Sequence, residues 1–189
     1  CRAALGCRKI VEQISEKWVS EGKMPFNTRI GLHTGSAIVG NLGSSDRMNY
    51  TAVGDAVNLA SRLEGVNKIY GSSVIVSEET YERVKSEFVF RELDTVAVKG
   101  RQQGVKIYEL VEEKGVEIDS DRLDFIDKFN KSLEEYKRKN WLVAEELFES
   151  LNKKYPEDLS VQLYLKRCQD FIASPPGLEW TGIFSIKTK

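Results

Sequence analysis

The strongest constraint on the fold is a change in sequence periodicity at residues 112–115. Up to residue 111, short apolar runs typical of strands alternate with longer stretches in which apolar residues recur every three or four positions, as in helices. From residue 117 to 175 only the helical spacing continues. A charged stretch, Glu112-Glu113-Lys114-Gly115, separates the two patterns. The sequence therefore predicts an α+β domain over 1–113 and a helical extension over 114–189.

The first segment begins with a predicted helix over 2–20, followed mainly by short strands. Strands are predicted over 28–42, 48–53, 73–76, 88–98 and 105–111, with glycines marking the turns. One helix is predicted from Gly54 to about Ile69, where Gly71 ends it, and another is capped by Ser77. We expect a mixed sheet with an antiparallel contribution, covered by helices.

The extension contains three apolar stripes at helical spacing, which predict a stack of helical hairpins. Their members are Phe125, Phe129, Leu133 and Tyr136; Trp141, Ala144, Phe148 and Leu151; and Val161, Leu165, Cys168 and Ile172. Prolines at 156, 175 and 176 separate the later pieces. The last segment, 179–186, is predicted to form a single terminal strand.

Charge and cysteine usage disfavour several classes of protein. The 28 Lys and Arg residues nearly cancel the 29 Asp and Glu residues, whereas a binder of duplex nucleic acid normally has a basic surplus. Three cysteines (Cys1, Cys7 and Cys168) without a repeated spacing fit neither a disulfide framework nor a zinc site, and they indicate thiols in a reducing cytoplasm. No apolar run reaches the ~18–20 residues that span a bilayer, so we expect no membrane contact by this segment.

The helix predicted from residue 54 has one polar face with two directed donors. At about 100° per residue, Leu59 and Leu63 fall on one side, and Asn58 and Arg62 lie together on the opposite side. An amide and a guanidinium on one face suit a charge that develops on a ribose or phosphate oxygen. Taken alone, the pattern favours a simpler alternative, a solvated helix face with an ordinary arginine.

Two further polar residues are assigned structural roles. His33 is the only histidine of the chain and lies in a predicted strand, so we expect it to be a hydrogen-bonded structural residue. Asp55 lies at the start of a helix, where a carboxylate stabilises exposed N–H groups. We therefore predict a capping role for Asp55 and no metal binding.

Three linked motifs resemble the catalytic domain of the class III nucleotidyl cyclases. They are Arg29-Ile30-Gly31-Leu32-His33-Thr34-Gly35, Val39-Gly40-Asn41-Leu42-Gly43, and Tyr50-Thr51 with Gly54-Asp55 and Val57-Asn58-Leu59-Ala60-Ser61-Arg62-Leu63-Glu64. The later Val98-Lys99-Gly100 also matches, so the resemblance covers residues 1 to about 111. It implies a partial ferredoxin-like fold, with a mostly antiparallel sheet and helices. It also implies conversion of a nucleoside triphosphate to a 3′,5′-cyclic monophosphate and pyrophosphate where two such domains pair head to tail.

The resemblance assigns roles to four residues. Asn58 matches the family's ribose-orienting Asn, and Arg62 matches the Arg that stabilises the transition state at the α-phosphate. Thr51 matches the position that reads the purine, where Thr goes with adenine and guanylate cyclases usually carry Cys. Lys99 matches a Lys that contacts the triphosphate. The implied substrate is ATP and the implied product is cyclic AMP, with a guanylate cyclase as the alternative.

The departure from the family pattern is an absence of metal-binding carboxylates. Family members hold two ions, Mg²⁺ or Mn²⁺, with two Asp residues that lie upstream of the segment matching Cys1, and no such motif occurs in this sequence. We therefore expect this chain to supply the transition-state and base-reading half of a site and to be inactive alone. Strands from the middle of the family's sheet are also missing, which predicts an open sheet.

Two partners and two roles remain open for such a chain. The expected partner is a second copy in a homodimer or another cyclase domain, and self-association would cover the open sheet. The alternative to an enzyme is a non-catalytic regulatory domain that pairs with an active cyclase.

The extension resembles the second half of a tetratricopeptide-type hairpin at Ala144, Phe148 and Pro156, with aromatic residues Tyr136 and Trp141 near its first half. It is similar to segments that follow the cyclase domain in bacterial membrane-anchored adenylate cyclases. The chain also starts with Cys1 inside a helical pattern. We therefore expect a piece of a longer, membrane-anchored protein, with this part in the cytoplasm.

Overall fold

Helices and strands alternate up to residue 113, and helices dominate thereafter. The computed structural model describes residues 1–44, 47–97, 104–177 and 179–185. Its helices are α1 (Arg2–Ser20), α2 (Asp55–Tyr70), α3 (Glu78–Val84), α4 (Ser120–Lys137), α5 (Trp141–Lys154) and α6 (Leu159–Ala173). Its strands are β1 (Ile30–Leu32), β2 (Ile38–Ser44), β3 (Arg47–Val53), β4 (Val74–Ser77), β5 (Phe88–Ala97), β6 (Val105–Glu113) and β7 (Phe184–Ser185). The elements confirm the predicted α+β class. Among the described residues, none of the helices combines the length and the apolar character that a membrane span requires.

Five strands form one mixed sheet in the order β1-β4-β6-β5-β7. The β4–β6 and β6–β5 pairs are antiparallel, whereas β1 and β7 join the two edges in parallel. Strands β2 and β3 form a separate antiparallel hairpin, in which Gly40 pairs with Thr51. The described sheet is a partial one, as predicted, with β1 and β7 as its edge strands.

Helices α1 and α2 lie on opposite faces of the sheet. Alternate residues of a strand point to opposite faces, and β4 shows this clearly. Val76 packs in one apolar cluster with Leu5 of α1, whereas Ile75 packs in another with Leu63 of α2. Burial of both faces accounts for the nearly continuous apolar run of β4.

The helical extension has an aromatic core of its own and is joined to the sheet by buried contacts. The Phe129 ring packs edge to face against Phe148 and Tyr164, with ring centroids 5.6 Å and 5.9 Å apart. The Tyr164 hydroxyl donates a hydrogen bond of 2.7 Å to the Leu93 carbonyl of β5. The division into 1–113 and 114–189 and the likeness of the extension to a tetratricopeptide hairpin both stay predictions.

The terminal strand begins later than the predicted residue 179, since among the described residues only Phe184 and Ser185 form β7. Trp180 instead packs against Tyr136, Trp141 and Phe171, with ring centroids between 5.5 and 5.8 Å apart. Gly182 has a φ of +75°, which interrupts an extended chain. Aromatic burial thus overrides the strand propensity of this segment.

Candidate active site

Helix α2 has a buried face and an exposed face, and the two predicted donors share the exposed one. Leu59 and Leu63 are buried against the sheet. Asn58 and Arg62 are both exposed and lie one helical turn apart. This face of α2 therefore carries an amide and a guanidinium that a ligand or a partner protein could contact.

A close backbone approach fixes the position of α2 on the sheet. A Cβ added to Gly31 of β1 would lie 2.2 Å from the carbonyl oxygen of Ala60 and 2.4 Å from the amide nitrogen of Glu64. Only glycine therefore allows the strand and the helix to come this close. The buried Asn67 side chain adds a hydrogen bond of 3.1 Å from its amide to the Ile30 carbonyl. These contacts join the helix that carries Asn58 to β1.

The beginning of α2 follows directly from the β2–β3 hairpin. Gly54, with a φ of +141°, is the N-cap residue, and Asp55 is the first residue of the helix. The predicted cap therefore belongs to Gly54, while the carboxylate of Asp55 lies in the first turn, where the helix dipole favours it. Thr51 is exposed on β3, on the strand that leads into the helix. Lys99 lies outside the described residues, so the structure adds nothing about its place.

His33 is a structural histidine, as predicted. Its side chain is buried, and Nδ1 lies 2.7 Å from the Ser77 hydroxyl and 3.5 Å from the Glu79 carboxylate. Ser77 also accepts a hydrogen bond from the Thr80 amide as the N-cap of α3, which confirms its predicted capping role. His33 thus joins the end of β1 to the start of α3.

A buried polar cluster, formed by Tyr70, Asp94 and Arg167, lies at the other end of α2. Asp94 Oδ2 accepts hydrogen bonds of 2.6 Å from the Tyr70 hydroxyl and from Arg167 Nη1. Burial, together with the Asp94 carboxylate, raises the pKa of Tyr70 well above its ordinary value. Burial alone would lower the pKa of Arg167, but the Asp94 carboxylate outweighs it and the pKa is raised. At neutral pH the cluster therefore holds a neutral phenol and an ion pair.

This cluster was missed in the sequence, although the sequence contains a signal for it. Arg167 lies between Tyr164 and Cys168 at the spacing of the buried stripe of α6. Asp94 lies within an apolar strand, directly after Leu93. A charged residue at a core position of a helix and an opposite charge at a core position of a strand indicate a buried pair.

Comparisons with known proteins identify the family to which this chain is similar. The profile described as the adenylate and guanylate cyclase catalytic domain matches residues 3–112. Adenylate cyclase 1 of Rhizobium meliloti is 45% identical over 111 residues, which cover 59% of this chain and 17% of that protein. The terminal-differentiation-specific adenylate cyclase of Dictyostelium discoideum is 34% identical over 144 residues, or 75% of this chain and 7% of that protein.

A solved structure shares the fold. The adenylyl cyclase CyaB from P. aeruginosa superposes with a TM-score of 0.52 at 34% identity, covering 60% of this chain and 58% of that chain. The chain spans less than a fifth of the length of the two curated relatives described above. On the match of residues 3–112, this chain belongs to the family of adenylate and guanylate cyclase catalytic domains.

Proposed function

We propose that this chain carries the transition-state-stabilising and base-reading half of an adenylate cyclase site, formed where two cyclase domains meet. The observation that supports it most directly is the pairing of Asn58 and Arg62 on the exposed face of α2. In this proposal Asn58 orients the ribose and Arg62 stabilises charge on the α-phosphate. Thr51 reads the adenine, and Lys99 contacts the triphosphate.

The proposed reaction is an attack of the ribose 3′-oxygen of ATP on the α-phosphorus. The new O–P bond closes the cyclic ester, the bond to the bridging oxygen breaks, and pyrophosphate leaves while the 3′-hydroxyl proton is lost. Negative charge grows on the α-phosphate oxygens, and the fork of N–H donors of Arg62 suits that charge. Such donors act strongly only where water is excluded, so an exposed Arg62 implies a second domain that covers it.

The β2–β3 hairpin supports pairing with a second cyclase domain. Ile38, Met48 and Tyr50 are large apolar or aromatic side chains that are exposed on it. Exposed apolar side chains grouped on one element are typical of a protein–protein interface. We infer that the hairpin, next in sequence to the helix with Asn58 and Arg62, contacts the partner domain, in a homodimer or with another cyclase.

Metal ions in this reaction neutralise charge and activate the attacking hydroxyl, as Mg²⁺ or Mn²⁺ does in phosphoryl transfer. The described residues do not fit this group. Within the described ranges no cluster of three or more His, Cys, Asp or Glu side chains could hold an ion, and neither Asn58 nor Arg62 is a carboxylate. We therefore assign metal binding to carboxylates outside this chain, and we predict that the chain alone is inactive.

The alternatives are a regulatory cyclase-like domain and a guanylate cyclase. The presence of both Asn58 and Arg62 favours a catalytic role, since a domain without chemistry has no need of both donors. Thr51 and the adenylate cyclases among the relatives favour ATP over GTP. Use of ATP also fits a cytoplasmic location for this part of a membrane-anchored parent protein.

The test is an assay of cyclic nucleotide formation with ATP and with GTP, in the presence of Mn²⁺. It compares the 189-residue chain with a longer chain that adds upstream sequence with metal-binding carboxylates. We expect cyclic AMP from the longer chain only. If both chains are folded and inactive, the regulatory role replaces the proposal, and preference for GTP would make the site a guanylate cyclase site.

A further inference from the structure

Tyr70, the last residue of α2, and Arg167 of the extension both donate hydrogen bonds to one buried carboxylate of the sheet, Asp94. Tyr70 belongs to α2, Asp94 to β5 and Arg167 to α6, and all three are buried. The two donors share one oxygen, Oδ2, while Oδ1 accepts from the Thr95 amide at 2.7 Å. Asp94 therefore joins the end of the helix with Asn58 and Arg62 to a helix outside the family match, which ends at residue 112.

We propose that Tyr70, Asp94 and Arg167 are positioning residues, through which the docking of α6 sets the orientation of α2 and so of Asn58 and Arg62. This inference deepens the proposed function and rests on it. Its physical content is a coupling between the extension and the exposed face of α2, which is measurable without turnover.

The buried contact of Tyr70, Asp94 and Arg167, called the joint below, holds one end of α2, and Asn58 and Arg62 lie toward the other end. At 1.5 Å per residue, Tyr70 lies about 12 Å along the axis from Arg62 and about 18 Å from Asn58. Gly31 holds α2 close to the sheet at Ala60 and Glu64, so a change at Tyr70 tilts the helix about that contact and also moves Asn58 and Arg62, which lie next to it. A misplacement of about 1 Å is enough to cost a large factor in rate.

Apolar contacts reinforce the same joint. Gly71, the left-handed C-cap of α2, lies against the first residue of α6, because a Cβ added there would lie 3.2 Å from Leu159 Cβ. Leu163 of α6 packs against the apolar cluster that contains Leu63. The extension thus contacts α2 through both the ion pair and the beginning of α6.

The hydroxyl of Tyr70 is the part of the joint that can be removed with least damage. In Tyr70→Phe the ring remains in the core, and Asp94 keeps its bonds to Arg167 and to the Thr95 amide. Only the link from the carboxylate to α2 is lost. Tyr164→Phe is a matched control, because it removes another buried hydroxyl between α6 and the sheet, one that donates to Leu93 and not to α2.

The first experiment is amide hydrogen exchange on the 189-residue chain. We expect Tyr70→Phe to speed exchange over residues 58–63 by about fivefold or more, because these amides report docking of the whole helix. Tyr164→Phe should leave that rate unchanged within about twofold. Faster exchange confined to the last turn of α2, or equal effects of both variants over 58–63, would overturn the inference.

The second experiment measures cyclic AMP formation by a longer protein that contains this chain together with metal-binding carboxylates. Tyr70→Phe should lower kcat about tenfold with little change in the KM for ATP, because misplaced donors act on the transition state. Arg167→Met should do the same, and Arg167→Lys should restore most of the loss. If the unaltered enzyme is inactive, the proposed function fails, while hydrogen exchange still decides whether α6 positions α2. If Tyr70→Phe turns over as fast as Tyr164→Phe, these residues have no positioning role.

Discussion

Replacement of Arg91 by Met should destabilise the fold more than any ordinary surface change. Arg91 of β5 is 1% exposed, and its side chain donates 2.7 Å to the Glu109 carboxylate and 3.0 Å to the Asp158 carboxylate. Its guanidinium also lies 4.7 Å from the centroid of the Phe129 ring. Met keeps the apolar stem of Arg91 and removes the guanidinium, so that the Glu109 and Asp158 carboxylates lose their common partner.

The expected loss follows from what remains at each carboxylate. Removal of one member of a buried ion pair costs about 3–5 kcal/mol. The lower figure applies here, because Glu109 keeps Arg122, and Asp158 keeps the Ser160 hydroxyl and amide. At roughly 2.1 cal/mol/K of unfolding entropy per residue, a loss of about 3 kcal/mol over 189 residues lowers Tm by about 8 °C.

Calorimetry of Arg91→Met beside Arg122→Met measures this loss. Arg122 binds the same Glu109 at 3.1 Å, but its side chain is 37% exposed, so its loss should cost no more than about 1 kcal/mol. If the two variants have the same Tm, burial of the Arg91 ion pairs does not stabilise the contact between the sheet and the extension.

Two further changes test the positions of α2 and α6. Gly31→Ala in β1 should lower the free energy of unfolding, measured in urea, by more than about 2 kcal/mol, because the added Cβ would lie 2.2 Å from the Ala60 carbonyl oxygen of α2. Gly65→Ala in α2 is the control: its Cβ would meet nothing within 4 Å, so it should not destabilise the fold. Burial would raise the pKa of Asp158, but Arg91 and the Ser160 hydroxyl outweigh it and hold the pKa below its ordinary 3.8. The stability that Asp158 adds is therefore present above about pH 4 and lost as pH falls through the lowered pKa. The difference in unfolding free energy between wild type and Asp158→Asn should shrink over that acid range, and a constant difference would contradict this assignment.

Local patterns in the sequence were enough to place the main elements. The helix from residue 55 ends at Gly71 as predicted, because a left-handed C-cap is a local requirement that glycine meets. The strands at 74–77, 88–97 and 105–113 also follow from runs of β-branched and aromatic residues. The sharing of one helix face by Asn58 and Arg62 needed only the helical period.

Long-range pairing was not readable in the same way. Arg167 and Asp94 are 73 residues apart in sequence, and nothing local to either residue identifies the other. The parallel pairing of β1 with β4 likewise depends on the whole sheet rather than on either strand. Trp180 does not lie in the predicted strand, because its ring packs against three aromatic rings that come from α4, α5 and α6.

The most direct test of the proposed site is the turnover of Arg62→Ala in an active enzyme that contains this chain. We predict that kcat for cyclic AMP formation falls by roughly 10²–10³, the usual effect of removing one positioned charge-stabilising donor. Arg83→Ala is the matched control, since Arg83 is an exposed arginine at the end of α3 and should leave kcat unchanged. Turnover of Arg62→Ala equal to that of Arg83→Ala would remove Arg62 from the mechanism and contradict the proposed half-site.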